Sequence, residues 1–343
     1  MSRAVTLLAL GVALAAGGMC NGALAKDNLT LVSLAPADGI FRSHFPRFKQ
    51  AVESRYDGDV EVALLVDGQA GSEATMMSAL RRGRAQYGVL TMAGVSVAIP
   101  ELTLLMAPYL FDSFEEADFV MDHYVLDLGR ELMEARGVLL LKWIDSGWWN
   151  VFAQQNVADP DQVRGVRMRA ASSPATVLFL QALDADVIPL PFGDLVPGLQ
   201  TGLVQGGATN TSMYAAVALY DHAPYLIMTR HALNPGAVMV NKRWFERLSK
   251  QNQAVIEAAM ASSAVIRADI RREEQQALDT IHAAGITPLE LSPGQLAKWK
   301  RHSLAIHKAL IADIGGDAQR LYDRIQAGKA AFARRAPAAA TAE

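Results

Sequence analysis

Apolar positions in the first part of the chain alternate between two rhythms. Leu29 to Leu34 is a short, largely apolar run that ends at Ala35-Pro36, the pattern of a buried strand followed by a turn. Phe41, Phe45, Phe48 and Val52 then recur at spacings of four, three and four, which is the apolar stripe of a helix. Asp57-Gly58-Asp59 stops that helix, and Val60 to Val66 returns to a β-rich run. A second helix is predicted over Ser72 to Leu80 and a third strand over Tyr87 to Thr91. Strand, helix, strand, helix, strand is the signature of a parallel sheet covered by helices.

The rest of the chain repeats the theme without repeating the sequence. Ala117, Met121, Tyr124, Leu128, Leu132 and Ala135 form a long helical stripe closed by Gly137, and Val138 to Ile144 is a strongly apolar strand. Asp159-Pro160-Asp161-Gln162 reads as a capped helical turn that feeds Val166-Arg167-Met168-Arg169. On that strand Arg167 and Arg169 fall on one face, because they are two residues apart. A second α/β unit follows: a helix from about Pro174 to Leu183, a strand near Val187, a helix near Leu195 to Leu199 and a strand from about Leu203. Ser249 is placed to cap one long helix reaching about Ala284, with Ile256, Met260, Ser263, Ile270, Ala277 and Ile281 inward. Ser292-Pro293-Gly294-Gln295 is a capping box for another helix, and the Ala-rich end from Ala336 to Glu343 reads as disordered.

Composition narrows what such a chain can be. Its 343 residues are 51% hydrophobic and 20% charged, with 32 basic against 35 acidic side chains, so it has apolar material for two domains. A net charge of −3 argues against a nucleic-acid partner. Arg3, the apolar run from Ala4 to Leu14 and Ala23-Leu24-Ala25 form a secretory signal peptide over 1–25, with cleavage expected before Lys26 and a periplasmic destination. The one cysteine, Cys20, lies inside that segment, so neither disulfides nor thiol chemistry is expected of the exported product.

Catalytic signatures are missing. There is no Gly-x-Ser-x-Gly elbow, no His-Glu-x-x-His helix and no phosphate-cradling glycine loop, and the seven histidines are scattered. No cofactor and no metal site is expected. An exported α/β protein of two units without visible catalytic groups suits a bilobed protein that closes on a solute.

Specific stretches sharpen this. Asp67-Gly68-Gln69-Ala70-Gly71-Ser72-Glu73, Ala79-Leu80-Arg81-Arg82-Gly83 and Pro108-Tyr109-Leu110-Phe111 stand in the first half. Val163-Arg164-Gly165-Val166-Arg167-Met168-Arg169, Pro189-Leu190-Pro191-Phe192-Gly193-Asp194, Leu199-Gln200-Thr201-Gly202 and Val240-Asn241-Lys242-Arg243-Trp244-Phe245 follow in the second. In order and spacing these resemble the solute-binding subunits of TRAP (tripartite ATP-independent periplasmic) transporters, of the dicarboxylate-binding type. The resemblance implies a protein that captures a small organic acid between two lobes and delivers it to a membrane permease driven by an ion gradient. It also implies that Arg169 pairs bidentately with the ligand carboxylate, a role suited to a planar, permanently charged guanidinium. Phe192 resembles the family's aromatic that packs on the ligand, while Glu73 and Thr91 fall at strand ends facing the site.

Two departures bear on the ligand. Where many members have Asp-Gly-Gln-Glu-Asn-Pro, this chain has Gln205-Gly206-Gly207-Ala208-Thr209-Asn210, so Thr209 takes the carboxylate-touching position, with Asn210 beside it. Where some members carry a second arginine, this chain has Trp149, and Trp148 and Trp143 lie nearby. A ligand with a second anionic group would lose a counter-charge there, so monocarboxylates and apolar acids stand level with dicarboxylates.

The expected fold is α/β, of the type II periplasmic-binding class, with two lobes, a hinge and the long helix from Ser249 spanning both. Lobe I is expected over 26–149 and 237–276, lobe II over 150–236 and 277–332, and a disordered tail over 333–343, with the chain crossing near Asn150 and Gly236. A ligand-sensing subunit of a signalling system and an exported hydrolase remain as alternatives.

Overall fold

The computed structural model describes residues 27–35, 39–171 and 173–339. The expected signal peptide and the last four residues of the expected tail lie outside them. The described strands are β1 (Asp27–Ser33), β2 (Val60–Leu65), β3 (Tyr87–Thr91), β4 (Val138–Ala153), β5 (Arg167–Ala170), β6 (Asp186–Pro189), β7 (Gly206–Asn210), β8 (Tyr225–Asn241) and β9 (Leu289–Glu290). They form one sheet in the order β2-β1-β3-β8-β4-β7-β5-β6, with β9 beside β8.

Two parallel sheets are fused in this arrangement. β1, β2 and β3 pair parallel in the first lobe, and β5, β6 and β7 pair parallel in the second. β4 and β8 are long, at 16 and 17 residues, and run antiparallel through both lobes. Their register slips between Leu140 and Lys142, between Asp145 and Trp148, and between Trp149 and Val151. Such slips bend and twist a strand, and here they fall where the chain passes from one lobe to the other. Gly236 marks the same crossing on β8: a Cβ there would come within 2.9 Å of the Ile144 side chain and 3.1 Å of the Leu90 carbonyl.

The helical stripe read from the sequence packs as its spacing implies. Phe41, Phe45, Phe48 and Val52 are buried on one side of the first lobe with Trp244 and Phe245. Phe152, Leu195, Leu199 and Tyr214 fill the corresponding side of the second. On the other side a single apolar cluster, including Trp143, Phe179, Trp299 and Leu321, is continuous across both lobes.

Three expectations need correcting. The helix capped by Ser249 stops at Ala259, and a second, Ser263–Ala283, starts behind its own cap at Ser262. The break is held from β4: Lys142 Nζ donates to the carbonyls of Met260 at 2.9 Å and Ala261 at 3.2 Å, closing off the first helix. Inward positions accordingly restart in a new phase, with Ile256 and Met260 before the break and Ile266, Ile270, Ala277 and Ile281 after it. Second, the final helix, Ala318–Ala339, packs on Phe114–Val120 and the following π-helical turn, which are first-lobe elements, although 277–332 was expected to belong to the second. Phe332 packs there against Phe119, the rings tilted by 42° with centroids 5.7 Å apart. Third, that helix runs through residues 333–339, where disorder was expected; it does so despite Pro337, whose missing N–H disfavours a helix interior, as a continuation of the preceding turns.

Candidate ligand-binding cleft

Strand ends from both lobes converge on the middle of the crossing strands. The C-terminal end of β3, Thr91, pairs with Gly236 of β8, and the C-terminal end of β7, Asn210, pairs with Trp149 of β4. Carboxyl ends of parallel strands are where open α/β folds bind ligands. Here the two sets face one another.

Arg169 stands on the second-lobe side. β5 lies between β6 and β7, so Arg169 is opposite Ile188 on one neighbour and Gly207 on the other. The turn after β6 folds over it: Arg169 Nε donates to the Leu190 carbonyl at 2.8 Å, and the Phe192 ring lies 5.7 Å from the guanidinium carbon. Arg169 is only 6% exposed, and among the described residues no carboxylate pairs with it. Burial alone therefore acts on it and lowers its pKa to about 10. Arg167, on the same face, is already engaged: its Nε and one terminal nitrogen both donate to the Gly202 carbonyl, at 3.1 and 2.8 Å.

Thr209 joins Arg169. It lies two residues beyond Gly207, on the face of the sheet that Arg169 occupies, and it is buried opposite Asn150. Asn210 points to the opposite face, and its amide is engaged at both ends. Its Oδ1 accepts from Met213 N at 2.8 Å, capping the helix Thr211–Ala216, and its Nδ2 donates to the Ser146 carbonyl at 2.7 Å.

Alternation along β4 separates the tryptophans. Trp148 is buried against Phe114, centroids 5.4 Å apart, and Trp143 belongs to the same core. Trp149 is half-buried and shares a face with Asn210 rather than with Arg169 and Thr209. It borders a small, partly open space of about 10 Å³, room for one water at most, with Thr176, Phe179, His231 and Asn234.

Glu73 and Thr91 answer each other across the first-lobe edge. Glu73 opens the helix Glu73–Arg81, and its carboxylate accepts from Thr91 N at 2.7 Å and from the Thr91 hydroxyl at 2.6 Å. Burial raises the Glu73 pKa and these two bonds oppose the shift. The pair ties two strand ends together at the rim of the cleft.

Several polar groups at the crossing were not singled out from the sequence. Asn150 is fully buried: its Oδ1 accepts from Arg230 N at 2.9 Å and its Nδ2 donates to Thr211 Oγ1 at 3.3 Å. His231 stacks on Phe179 at 4.2 Å with Nδ1 2.8 Å from Thr229 Oγ1, and burial pushes its pKa down to about 3, so it is neutral. The signal available was polar residues inside long strands whose neighbours are nearly all apolar.

Comparison with known proteins agrees with this geometry. Residues 33–313 match the family model described as bacterial extracellular solute-binding protein, family 7. The 2,3-diketo-L-gulonate-binding periplasmic protein YiaO of Escherichia coli is 26% identical over 245 residues, 70% of this chain and 74% of that protein. The C4-dicarboxylate-binding periplasmic protein DctP of Rhodobacter capsulatus is 26% identical over 274 residues, 79% and 82% of the two chains. In three dimensions the sugar acid binding protein DctPAm of Advenella mimigardefordensis, crystallised with galactonate, superposes with a TM-score of 0.81 over 88% of this chain and 99% of that one, at 24% identity. The match is to solute-binding proteins and not to enzymes, which removes the exported hydrolase. This chain belongs to family 7 of the bacterial extracellular solute-binding proteins, the solute-binding subunits of TRAP transporters.

Proposed function

We propose that the protein captures a small organic acid in the periplasm, holds its carboxylate on Arg169 between the lobes, and hands it to the membrane permease of its transporter. One observation carries this reading: a buried guanidinium with no carboxylate partner among the described residues. Charge taken out of water without a partner is costly, and a ligand carboxylate supplies the partner with paired, charge-assisted hydrogen bonds. Phe192 covers the guanidinium and Thr209 offers a hydroxyl on the same face. The relatives' printed ligands, galactonate, 2,3-diketo-L-gulonate and C4-dicarboxylates, are all acids. Arg167, the other arginine on that face, is engaged by the Gly202 carbonyl and offers no second free cation, which favours an acid with one carboxylate and an uncharged far end. Residues 1–25 would export the chain, and among the described residues no helix is long and apolar enough to cross a membrane.

The test is calorimetry with a panel of sugar acids, short monocarboxylates and succinate-like diacids. Arg169→Ala should weaken the best binder by about 30-fold or more, the equivalent of about 2 kcal/mol for a charged hydrogen-bonded pair. Unchanged affinity would refute the assignment of Arg169. A preference for diacids would refute the single-carboxylate reading and leave Arg169 standing.

A further inference from the structure

Four carboxylates and two guanidinium groups meet where β4 passes between the lobes. Asp118 and Asp122 come from the helical stretch after Phe114, Asp145 from β4, and Arg267, Arg271 and Glu274 from the helix Ser263–Ala283. Arg267 holds Asp122 with bonds of 2.7 and 3.0 Å and reaches Asp118 through Nε at 3.2 Å. Arg271 bonds Asp118 at 2.6 Å, lies 4.4 Å from the Phe114 ring centroid, and comes only within 3.7 Å of Asp145. A further cation whose charge reaches Glu274, Arg230 of β8, is held by Glu290 through bonds of 2.7 and 2.8 Å. Acids therefore outnumber the cations that serve them.

Asp145 is the acid left short. It is 4% exposed, its Oδ1 accepts from Gly147 N at 3.2 Å, and its Oδ2 meets no donor. Opposite it on β8 stands Pro235, with neither N–H nor charge to offer. Glu274 is the second: its Oε1 is 3.4 Å from Thr211 Oγ1, and its Oε2 lies where a Cβ on Gly147 would sit at 3.4 Å.

Their position gives the excess charge mechanical reach. Asp145 and Gly147 flank the register slip of β4, and Gly147 adopts φ +85°, a conformation that glycine takes without strain. Between them, Ser146 accepts from Asn210 through its carbonyl and donates to the Asn234 carbonyl at 3.1 Å. The bulge is thus tied to β7, β8 and the helix Ser263–Ala283 at once.

We propose that this cluster is a proton-operated latch on the hinge: protonating Asp145, with Glu274 as the second acceptor of a proton, seats the 145–148 bulge against the helix Ser263–Ala283 and shifts the lobes toward the arrangement seen here. The inference is independent of which acid is bound.

The sign follows from the partners. A neutral Asp145 can donate from its otherwise unpartnered oxygen and removes one uncompensated charge from a buried position. An ionised Asp145 requires a cation, and Arg271 is drawn to Asp118 instead. The charged groups facing Asp145 are Arg271, Arg267 and Glu274 from the helix and Asp118 from the neighbouring helix; Arg230 of β8, bonded to Glu290, acts on Glu274 only at longer range. Burial raises Asp145 to about 6 and raises Glu274 as well, so the latch engages on mild acidification and releases as pH rises through that range.

The test reads the distance between lobes without ligand. Ser54→Cys on the first lobe and Gln181→Cys on the second, both exposed, would carry spin labels on the chain from Lys26 onward, which has no other cysteine. From about pH 5 to about pH 8 the distance distribution should change once, with a midpoint near pH 6. Asp145→Asn should hold the acid-form distribution throughout, and Glu274→Gln should move the midpoint to lower pH by removing a neighbouring negative charge. A distribution indifferent to pH, or one that changes equally in Asp145→Asn, overturns the latch. If Asp145→Asn does not fold, an unmoved midpoint in Glu274→Gln overturns it.

Discussion

Arg169 and Arg267 are the same residue at nearly the same depth, 6% and 4% exposed, and the fold treats them in opposite ways. Burial works against the charge of each. At Arg267 the carboxylates of Asp122 and Asp118 outweigh that penalty and raise its pKa above the ordinary arginine value. At Arg169 nothing outweighs it, and the pKa falls to about 10. A buried cation whose anions are built in completes the structure. One without them is, in the function proposed above, completed from outside, and it is the missing partner, more than the arginine itself, that points to a binding site.

The largest effect that would test this contrast is on stability. Arg267→Ala strips Asp122 of both its bonds and leaves Asp118 to Arg271 alone, and breaking a buried pair from one side costs about 3 kcal/mol. Urea unfolding of the ligand-free protein should show that loss. Next comes the response to ligand. At a ligand concentration of 100 times the parent's Kd the parent should gain about 2.7 kcal/mol, Arg267→Ala should keep that increment, and Arg169→Ala should keep about 0.9 kcal/mol of it or less. The third effect is smaller: without ligand, Arg169→Ala should stay within about 1 kcal/mol of the parent, because losing the bond to the Leu190 carbonyl is offset by relief of an unpaired charge. A ligand-free loss as large as that of Arg267→Ala would mean that Arg169 is structural after all.

How far each arginine could be read beforehand differs for a physical reason. Arg169 was legible through the resemblance of its motif, since strand alternation puts Arg167 on the same face and does not choose between them; the Pro-Leu-Pro-Phe turn that covers it is 21 residues away at Leu190. Arg267 and Arg271 were not legible, since their acids lie 145 and 153 residues upstream and helix periodicity gives no hint that a charged residue will turn inward. The break at Met260 escaped notice similarly, because Lys142 closes the first helix from 118 residues away. Trp148 and Trp149 were both offered to the cleft; only the register of β4 on β7, a tertiary fact, sends Trp148 to the core and Trp149 to the face opposite Arg169. Capping boxes at Asp159 and Ser292, which need only residues three apart, formed as the sequence implied.

A third arginine sets the lower end of the scale. Arg230 makes two bonds to Glu290, as short as any at Arg267, yet the two side chains are 48% and 64% exposed. Water already solvates both charges there, so pairing them removes little unfavourable energy, and holding two long side chains in one geometry costs entropy. Glu290→Gln should therefore change stability by about 0.5 kcal/mol or less, and added salt should shrink even that difference. A loss approaching that of Arg267→Ala would mean that bond geometry, and not exclusion from water, ranks these arginines. The contrast between Arg169 and Arg267 would then lose its basis, since both are well-formed donors and differ only in what the dry interior supplies to meet them.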